Sequence, residues 1–70
     1  MQFTIKQARV LAGLTQAEMA EKIGINRSTY IKIEKDPLRA TIRQINQISE
    51  MTGVSIGDLF LTKNSTFVDN

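Results

Sequence analysis

Five helix-start signals divide this chain of 70 residues into short segments. A helix begins well where Ser, Thr, Asp or Asn accepts a hydrogen bond from an unpaired backbone N–H, often with Glu or Gln three residues later. The sequence shows this spacing, fully or approximately, at Thr4–Gln7, Thr15–Glu18, Asn26–Thr29, Thr41–Gln44 and Ser55–Asp58. Residues that end helices separate these segments, namely Gly13, Gly24, Asp36–Pro37 and Gly53. The chain is therefore predicted to form five helices, over residues 4–12, 15–23, 26–35, 41–52 and 55–61.

Apolar residues recur within each segment at intervals of three and four, which is the pattern of amphipathic helices packed on one core. The predicted core faces are Ile5, Ala8 and Leu11; Met19, Ala20 and Ile23; Tyr30 and Ile33; Ile42, Ile45, Ile48 and Met51; and Ile56, Leu59 and Phe60. We expect one all-α domain over residues 1–61. Residues 62–70 lack a helical pattern and are expected to form a C-terminal tail, either flexible or in contact with a dimer partner through a short strand at 66–68.

Composition excludes several classes of protein. The chain has no cysteine and no histidine, which removes disulfides, zinc fingers, thiol catalysis and the serine–histidine triad. No clustered pair of carboxylates stands out, so we expect no enzyme, no metal and no cofactor. No apolar run approaches the ~20 residues of a membrane span, and the N-terminal segment is interrupted by polar residues, unlike a signal peptide. A cytoplasmic protein without a membrane partner is the expectation.

The charge is unevenly distributed along the chain. The net charge is +2, but residues 1–43 carry eight basic and four acidic residues, whereas residues 44–70 carry one basic and three acidic residues. A basic N-terminal two-thirds suits a polyanionic partner, although a solvated mixed surface has the same composition.

Residues 15–35 contain the most informative pattern. Two short capped helices are joined by Ile23–Gly24–Ile25, and a turn of this length that contains glycine sets two helices steeply across each other, as in a helix-turn-helix. Ala20, one turn before Gly24, is small enough to allow the close crossing. Tyr30 and Ile33 are expected to pack on the first of these helices.

The segment resembles the helix-turn-helix of the phage Cro and lambda-repressor-like family of bacterial transcriptional regulators. The matching features are Gln16, Ala20, Gly24, Ser28–Thr29 before Tyr30 and Ile33, the Ile33–Glu34–Lys35 ending, and Gly53–Val54–Ser55 before Asp58–Leu59–Phe60. The resemblance covers residues 4–61 and implies a compact five-helix DNA-binding domain. One departure is Asp36, which stands where the family usually has glycine.

The third predicted helix has two different faces. At about 3.6 residues per turn, Tyr30 and Ile33 lie opposite Arg27, Ser28, Ile31, Lys32 and Lys35. A narrow basic face with short polar residues at its start suits the major groove of double-stranded DNA. The predicted base contacts are Arg27, Ser28, Ile31 and Lys32.

Each of these contacts has an alternative. Arg27 can bridge a guanine, bind phosphate or remain in solvent, and Ser28 can bond a base or a phosphate. Ile31 can meet a thymine methyl group or pack on the following loop, and Lys32 can meet phosphate or solvent.

The resemblance also implies phosphate contacts by Thr15 and Gln16, with Gln16 bracing the recognition helix. Asn26 can cap its own helix, contact phosphate, or do both. The remaining predicted phosphate contacts are Lys35, Arg39 and Arg43, for which solvent exposure is the alternative. Arg39 and Arg43 can also reach the minor groove. The family pairs an arginine of the first helix with a glutamate of the third, which implies a structural ion pair between Arg9 and Glu34.

The predicted function is therefore a sequence-specific DNA-binding transcriptional regulator. We expect a homodimeric repressor that binds a palindromic operator, of a kind common in phages and mobile elements. The alternatives are an antitoxin-type DNA-binding protein with a toxin partner, or a protein-interaction module on the same fold.

Overall fold

The computed structural model describes residues 2–59 and contains four α-helices in this range. They are α1 (Ile5–Leu11), α2 (Gln16–Ile23), α3 (Arg27–Lys35) and α4 (Ile42–Thr52). Short 3₁₀ turns at Pro37–Arg39 and Ile56–Asp58 follow α3 and α4. The predicted all-helical fold is confirmed for this part of the chain, and all four helices begin within a residue or two of their predicted starts.

The threonines at the helix starts explain where three of these helices begin. Thr4, Thr15 and Thr41 each accept a hydrogen bond from the backbone N–H three residues later. The side chain of that later residue, Gln7, Glu18 or Gln44, accepts one from the threonine N–H in return. Each reciprocal pair satisfies two backbone donors that the helix itself leaves unpaired.

Left-handed glycines end two of the helices, as predicted. Gly24 ends α2 with φ of 79°, and Gly53 ends α4 with φ of 75°. Residues with a Cβ atom rarely adopt this conformation, so each glycine stops its helix at a defined residue.

The fifth predicted helix, over residues 55–61, is not confirmed. Ser55 makes no side-chain cap bond, and the segment forms only the 3₁₀ turn at Ile56–Asp58. The backbone then becomes extended, because Phe3 N donates to Asp58 O at 2.7 Å and Phe3 pairs with Leu59 in an isolated parallel bridge. Gly57 also disfavours a helix here. Residues 60 and 61 lie outside the described range.

The core draws on all four helices and on Leu59. Its buried apolar members are Ile5, Ala8, Met19, Ala20, Ile23, Tyr30, Ile33, Ile45, Ile48 and Leu59. Partly buried apolar residues border it, among them Phe3, Leu14, Ile25 and Val54, which precede helix starts or the last turn. Four predicted core positions are instead exposed: Leu11, Ile42, Met51 and Ile56.

The predicted tail, residues 62–70, and its strand at 66–68 lie outside the described residues. Within residues 2–59, none of the helices has the length and apolar character needed to cross a bilayer.

Candidate nucleic-acid interface

Helix α3 separates a buried face from an exposed basic face. Tyr30, Ile33 and Glu34 are buried. The opposite face is exposed at Arg27, Ser28, Lys32 and Lys35, and Ile31 is half-buried. Because Tyr30 and Ile33 are part of the core, the helix cannot rotate about its axis, and the four polar side chains are held towards solvent.

The start of α2 lies beside this face. Thr15, Gln16 and Arg27 line one surface depression, while Gln16, Ile31 and Lys35 line another. The structure therefore brings together five of the predicted DNA contacts, two from the start of α2 and three from α3. Gln16 borders both depressions.

Lys6 is a further basic residue near this surface, and its place there was not predicted. It is exposed on α1 and lines the depression formed with Gln16, Ile31 and Lys35. Its position depends on how α1 packs against α3, which no local sequence pattern specifies.

Asn26 caps α3 and also holds Ser28. Asn26 Oδ1 accepts a hydrogen bond from Thr29 N at 2.8 Å and a second from Ser28 Oγ at 2.9 Å. The capping role that was one of the alternatives for Asn26 is thus present, and its amide NH₂ group is the part of the side chain that remains to donate.

Arg39 and Arg43 lie away from the Gln16 depressions. Arg39 is exposed, and its Nε is 3.8 Å from Asp36 Oδ2. Arg43 is exposed and lines a different depression together with Lys22 and Gly24. The structure therefore does not bring Arg39 and Arg43 together with the predicted contacts around Gln16.

A buried carboxylate, that of Glu34, joins the first three helices. Arg9 Nε donates to Glu34 Oε2 at 2.6 Å, and Tyr30 Oη donates to the same oxygen at 2.6 Å. Gln16 Nε2 donates to Glu34 Oε1 at 3.0 Å. Arg9 also donates from Nη1 to the carbonyl oxygen of Leu14 at 2.8 Å. The structure thus brings Arg9 and Glu34 into contact and adds Tyr30 to the pair.

The hydrogen bonds keep Glu34 ionised. Burial raises the pKa of its carboxyl, but the hydrogen bonds from Arg9, Tyr30 and Gln16 outweigh burial, and the pKa lies below its ordinary value. The hydrogen bond to Glu34 raises the pKa of Arg9. Burial, together with the same carboxylate, raises the pKa of Tyr30, which therefore stays protonated as a donor.

Comparison with known proteins identifies the family. A family model described as helix-turn-helix matches residues 5–59. An uncharacterized HTH-type transcriptional regulator of Methanocaldococcus jannaschii is 36% identical over 61 residues, which cover 87% of this chain and 92% of that protein. Uncharacterized HTH-type transcriptional regulators of Archaeoglobus fulgidus and Methanothermobacter thermautotrophicus are 33% and 34% identical, and the matches cover 87% of this chain and 87% and 90% of theirs. No solved structure matches the chain significantly. The chain therefore belongs to the helix-turn-helix family of the Cro and lambda-repressor type.

Proposed function

We propose that this protein is a sequence-specific DNA-binding transcriptional regulator, and that it represses transcription as a homodimer on a palindromic operator. Family membership supports DNA-binding transcription regulation. The observation that carries the proposal is the exposed basic face of α3, which core residues of the same helix hold in a fixed orientation. A helix presented in this way fits the major groove, where its first residues reach the base edges.

The proposed base contacts are Arg27, Ser28, Ile31 and Lys32. Arg27 is the first residue of α3 and is exposed, so its guanidinium can bridge the O6 and N7 atoms of a guanine. Ile31 is half-buried beside Gln16 and Lys35. An apolar side chain at such a position suits the methyl group of a thymine.

The proposed phosphate contacts surround these residues, and they are Thr15, Gln16, Asn26, Lys35, Arg39 and Arg43. Gln16 donates one hydrogen bond to Glu34, and an amide NH₂ has a second N–H that can donate to phosphate. Thr15 Oγ accepts a hydrogen bond from Glu18 N, and a hydroxyl that accepts still has its own proton to donate. Such contacts fix the register of a protein on DNA without specifying its sequence.

The proposal of a homodimer follows from the size of the domain. One short helix contacts only a few base pairs, and two-fold dimers extend the site by binding half-sites about 34–36 Å apart. Residues 44–70 carry one basic and three acidic residues, and this charge suits a protein contact better than a DNA contact.

Selection from a randomised pool of duplexes tests the proposal. We expect a palindrome to be enriched, and log Kd on that duplex to rise with log salt by roughly 0.9 per phosphate contact. Sedimentation of the complex should give two chains per duplex. No enrichment, with only weak and salt-sensitive binding, would contradict sequence-specific recognition. One chain per duplex would contradict the dimer.

Three variants separate the proposed roles. Arg27→Ala should relax the preference at one base position. It should lower the binding free energy on the selected duplex by about 1–3 kcal/mol. Lys35→Ala should weaken binding to all duplexes alike and lower the salt slope by about one contact. Glu50→Gln changes the net charge by one unit at an exposed position on α4 where no contact is proposed, and it should leave the salt slope nearly unchanged.

A further inference from the structure

We propose that Ser28 accepts a hydrogen bond from the exocyclic amino group of one base, adenine N6 or cytosine N4, and that Asn26 sets this polarity. This inference rests on the proposed function, because it specifies which chemical group of DNA a residue of α3 contacts. It selects one of the two alternatives that the sequence leaves open for Ser28, a base or a phosphate.

The direction of the Ser28 hydrogen bond follows from the cap of α3. A backbone N–H can only donate, so the Asn26 atom that lies 2.8 Å from Thr29 N must be the amide oxygen Oδ1. The same oxygen lies 2.9 Å from Ser28 Oγ. An amide oxygen can only accept, so the Ser28 hydroxyl must donate its single proton to Asn26.

A hydroxyl whose proton is already donated has only lone pairs to offer to a new partner. Ser28 is exposed and lies next to Arg27 on the basic face of α3. Phosphate oxygens, guanine N7 and O6, and thymine O4 are all acceptors, so they cannot pair with Ser28 in this state. The major-groove donors are the amino groups of adenine and cytosine. The geometry therefore favours one of these two bases opposite Ser28.

Asn26 acts as a positioning residue in this scheme. Its amide keeps the Ser28 proton turned towards the protein, and an aspartate would do the same, because a carboxylate oxygen also accepts from both Thr29 N and Ser28 Oγ. A glycine would still permit the start of α3 but would release the Ser28 proton. The two substitutions differ in how they orient the hydroxyl.

The experiment begins with the duplex that the wild-type chain selects. Ser28→Ala is used to locate the base pair at which the preference is lost. The base of that pair that carries the amino group is then replaced by its analogue without that group, which is purine for adenine and 2-pyrimidinone for cytosine. We expect the wild type to lose roughly three- to tenfold in affinity on the analogue, which is the effect of one neutral hydrogen bond. Ser28→Ala should show that loss on the natural duplex and no further loss on the analogue.

The Asn26 variants test the polarity itself. Asn26→Asp and Asn26→Gly both remove the amide donor, so both should weaken binding to every duplex. Only Asn26→Gly should lower the ratio of affinities between the natural duplex and the duplex with the amino-free analogue at the Ser28 position. Circular dichroism at the assay temperature verifies that both variants are folded.

The outcomes distinguish this inference from the proposed function. If Ser28→Ala weakens binding to all duplexes equally, Ser28 contacts a phosphate. That result would overturn the inference but not the proposed function. Unchanged wild-type affinity on the duplex with the amino-free analogue, no effect of Ser28→Ala, or equal base preferences in the two Asn26 variants would do the same. If no duplex is enriched at all, the proposed function fails, and the inference fails with it.

Discussion

Gln16 Nε2 lies 3.0 Å from Glu34 Oε1, so the first residue of α2 is held by the last turn of α3. The same carboxylate binds Arg9 of α1 through its other oxygen. One buried group therefore fixes the relative positions of three helices and orients a side chain at the candidate DNA surface. Any change at Glu34 should affect both the stability of the domain and the position of Gln16.

Replacing Glu34 with glutamine should be strongly destabilising. The change removes the negative charge but leaves the guanidinium of Arg9, whose side chain is only 10% exposed, without an anion. Removing one partner of a buried ion pair costs about 3–5 kcal/mol, a large share of the stability of a small domain. Urea unfolding followed by circular dichroism measures the loss. Arg39→Ala breaks the exposed pair with Asp36 and should cost less than about 1 kcal/mol. Similar losses in the two variants would contradict this account.

The stability of the protein should fall in acid because of Glu34. Its pKa in the folded protein is below the ordinary value, which is about 4.3 in the unfolded chain. As pH falls, the Glu34 carboxyl therefore takes up a proton in the unfolded chain at a higher pH than in the folded protein. The contribution of Glu34 is complete above about pH 5 and is lost as pH falls through the folded-state pKa. Carbon-detected NMR titration of the glutamate carboxyls reports the pKa directly. A Glu34 midpoint at or above the ordinary value would contradict the prediction.

Glu18 also has a lowered pKa, so its effect on stability in acid must be distinguished from that of Glu34. Its hydrogen bond from the Thr15 backbone N–H lowers its pKa, although its carboxylate is at the surface. Glu18→Gln keeps the reciprocal cap, since glutamine accepts the same hydrogen bond. We expect the free energy of unfolding of this variant to fall in acid almost as much as that of the wild type, because Glu34 is intact in it.

Tyr30→Phe should destabilise the domain without changing the shape of its core. The substitution removes only the hydroxyl that donates to Glu34 Oε2 at 2.6 Å. Hydrogen bonds to charged groups contribute about 1.5–3 kcal/mol. Urea unfolding of Tyr30→Phe, Glu34→Gln and the double variant forms a double-mutant cycle. The two losses should not add, because both variants disrupt the same network. Strict additivity would show that Tyr30 acts independently of Glu34.

Gly24→Ala should cost about 1–2 kcal/mol through the backbone alone. Gly24 has φ of 79°, and a Cβ atom there would meet no neighbouring atom within 4 Å. The strain of a left-handed residue with a side chain is therefore the only penalty. Gly57→Ala is the matched control, since that position also has open space but no positive φ. We expect the control to leave the free energy of unfolding unchanged or to raise it by up to about 1 kcal/mol in urea unfolding. Equal losses of stability in Gly24→Ala and Gly57→Ala would refute a backbone origin of the Gly24 effect.

The helix starts were predictable because their signals are local. A threonine and a Glu or Gln three residues later satisfy each other within one turn, so the spacing alone identifies the caps at Thr4, Thr15 and Thr41. Ser55 has the same spacing to Asp58, but its segment forms only a 3₁₀ turn before the chain becomes extended. The contact with Phe3 that accompanies this change is distant in sequence, and no local pattern reports it.

Exposure was less predictable than periodicity. Ile42 continues the apolar stripe of α4 but is 79% exposed, and Leu11 of α1 is 67% exposed. Whether an apolar residue at the edge of a stripe is covered depends on the length and position of the neighbouring elements. On α1 the charged Arg9 is buried instead, because Glu34 compensates its charge.

The candidate DNA surface was predictable in outline. The two faces of α3 follow from helical periodicity, and Arg27, Ser28, Lys32 and Lys35 are exposed as the pattern indicates. The hydrogen bond from Ser28 to Asn26 and the position of Lys6 were not predictable. The first depends on a rotamer, and the second depends on the packing of α1 against the rest of the domain.

The hydrogen bond from Phe3 N to Asp58 O has a consequence for how the domain opens. It fastens the segment before α1 to the segment after α4, so neither end of the described domain can fray without releasing the other. The Phe3 amide should therefore exchange its hydrogen with solvent only when this clasp opens. The exchange rate of the Phe3 amide hydrogen therefore reports whether the domain unfolds from its ends or all at once.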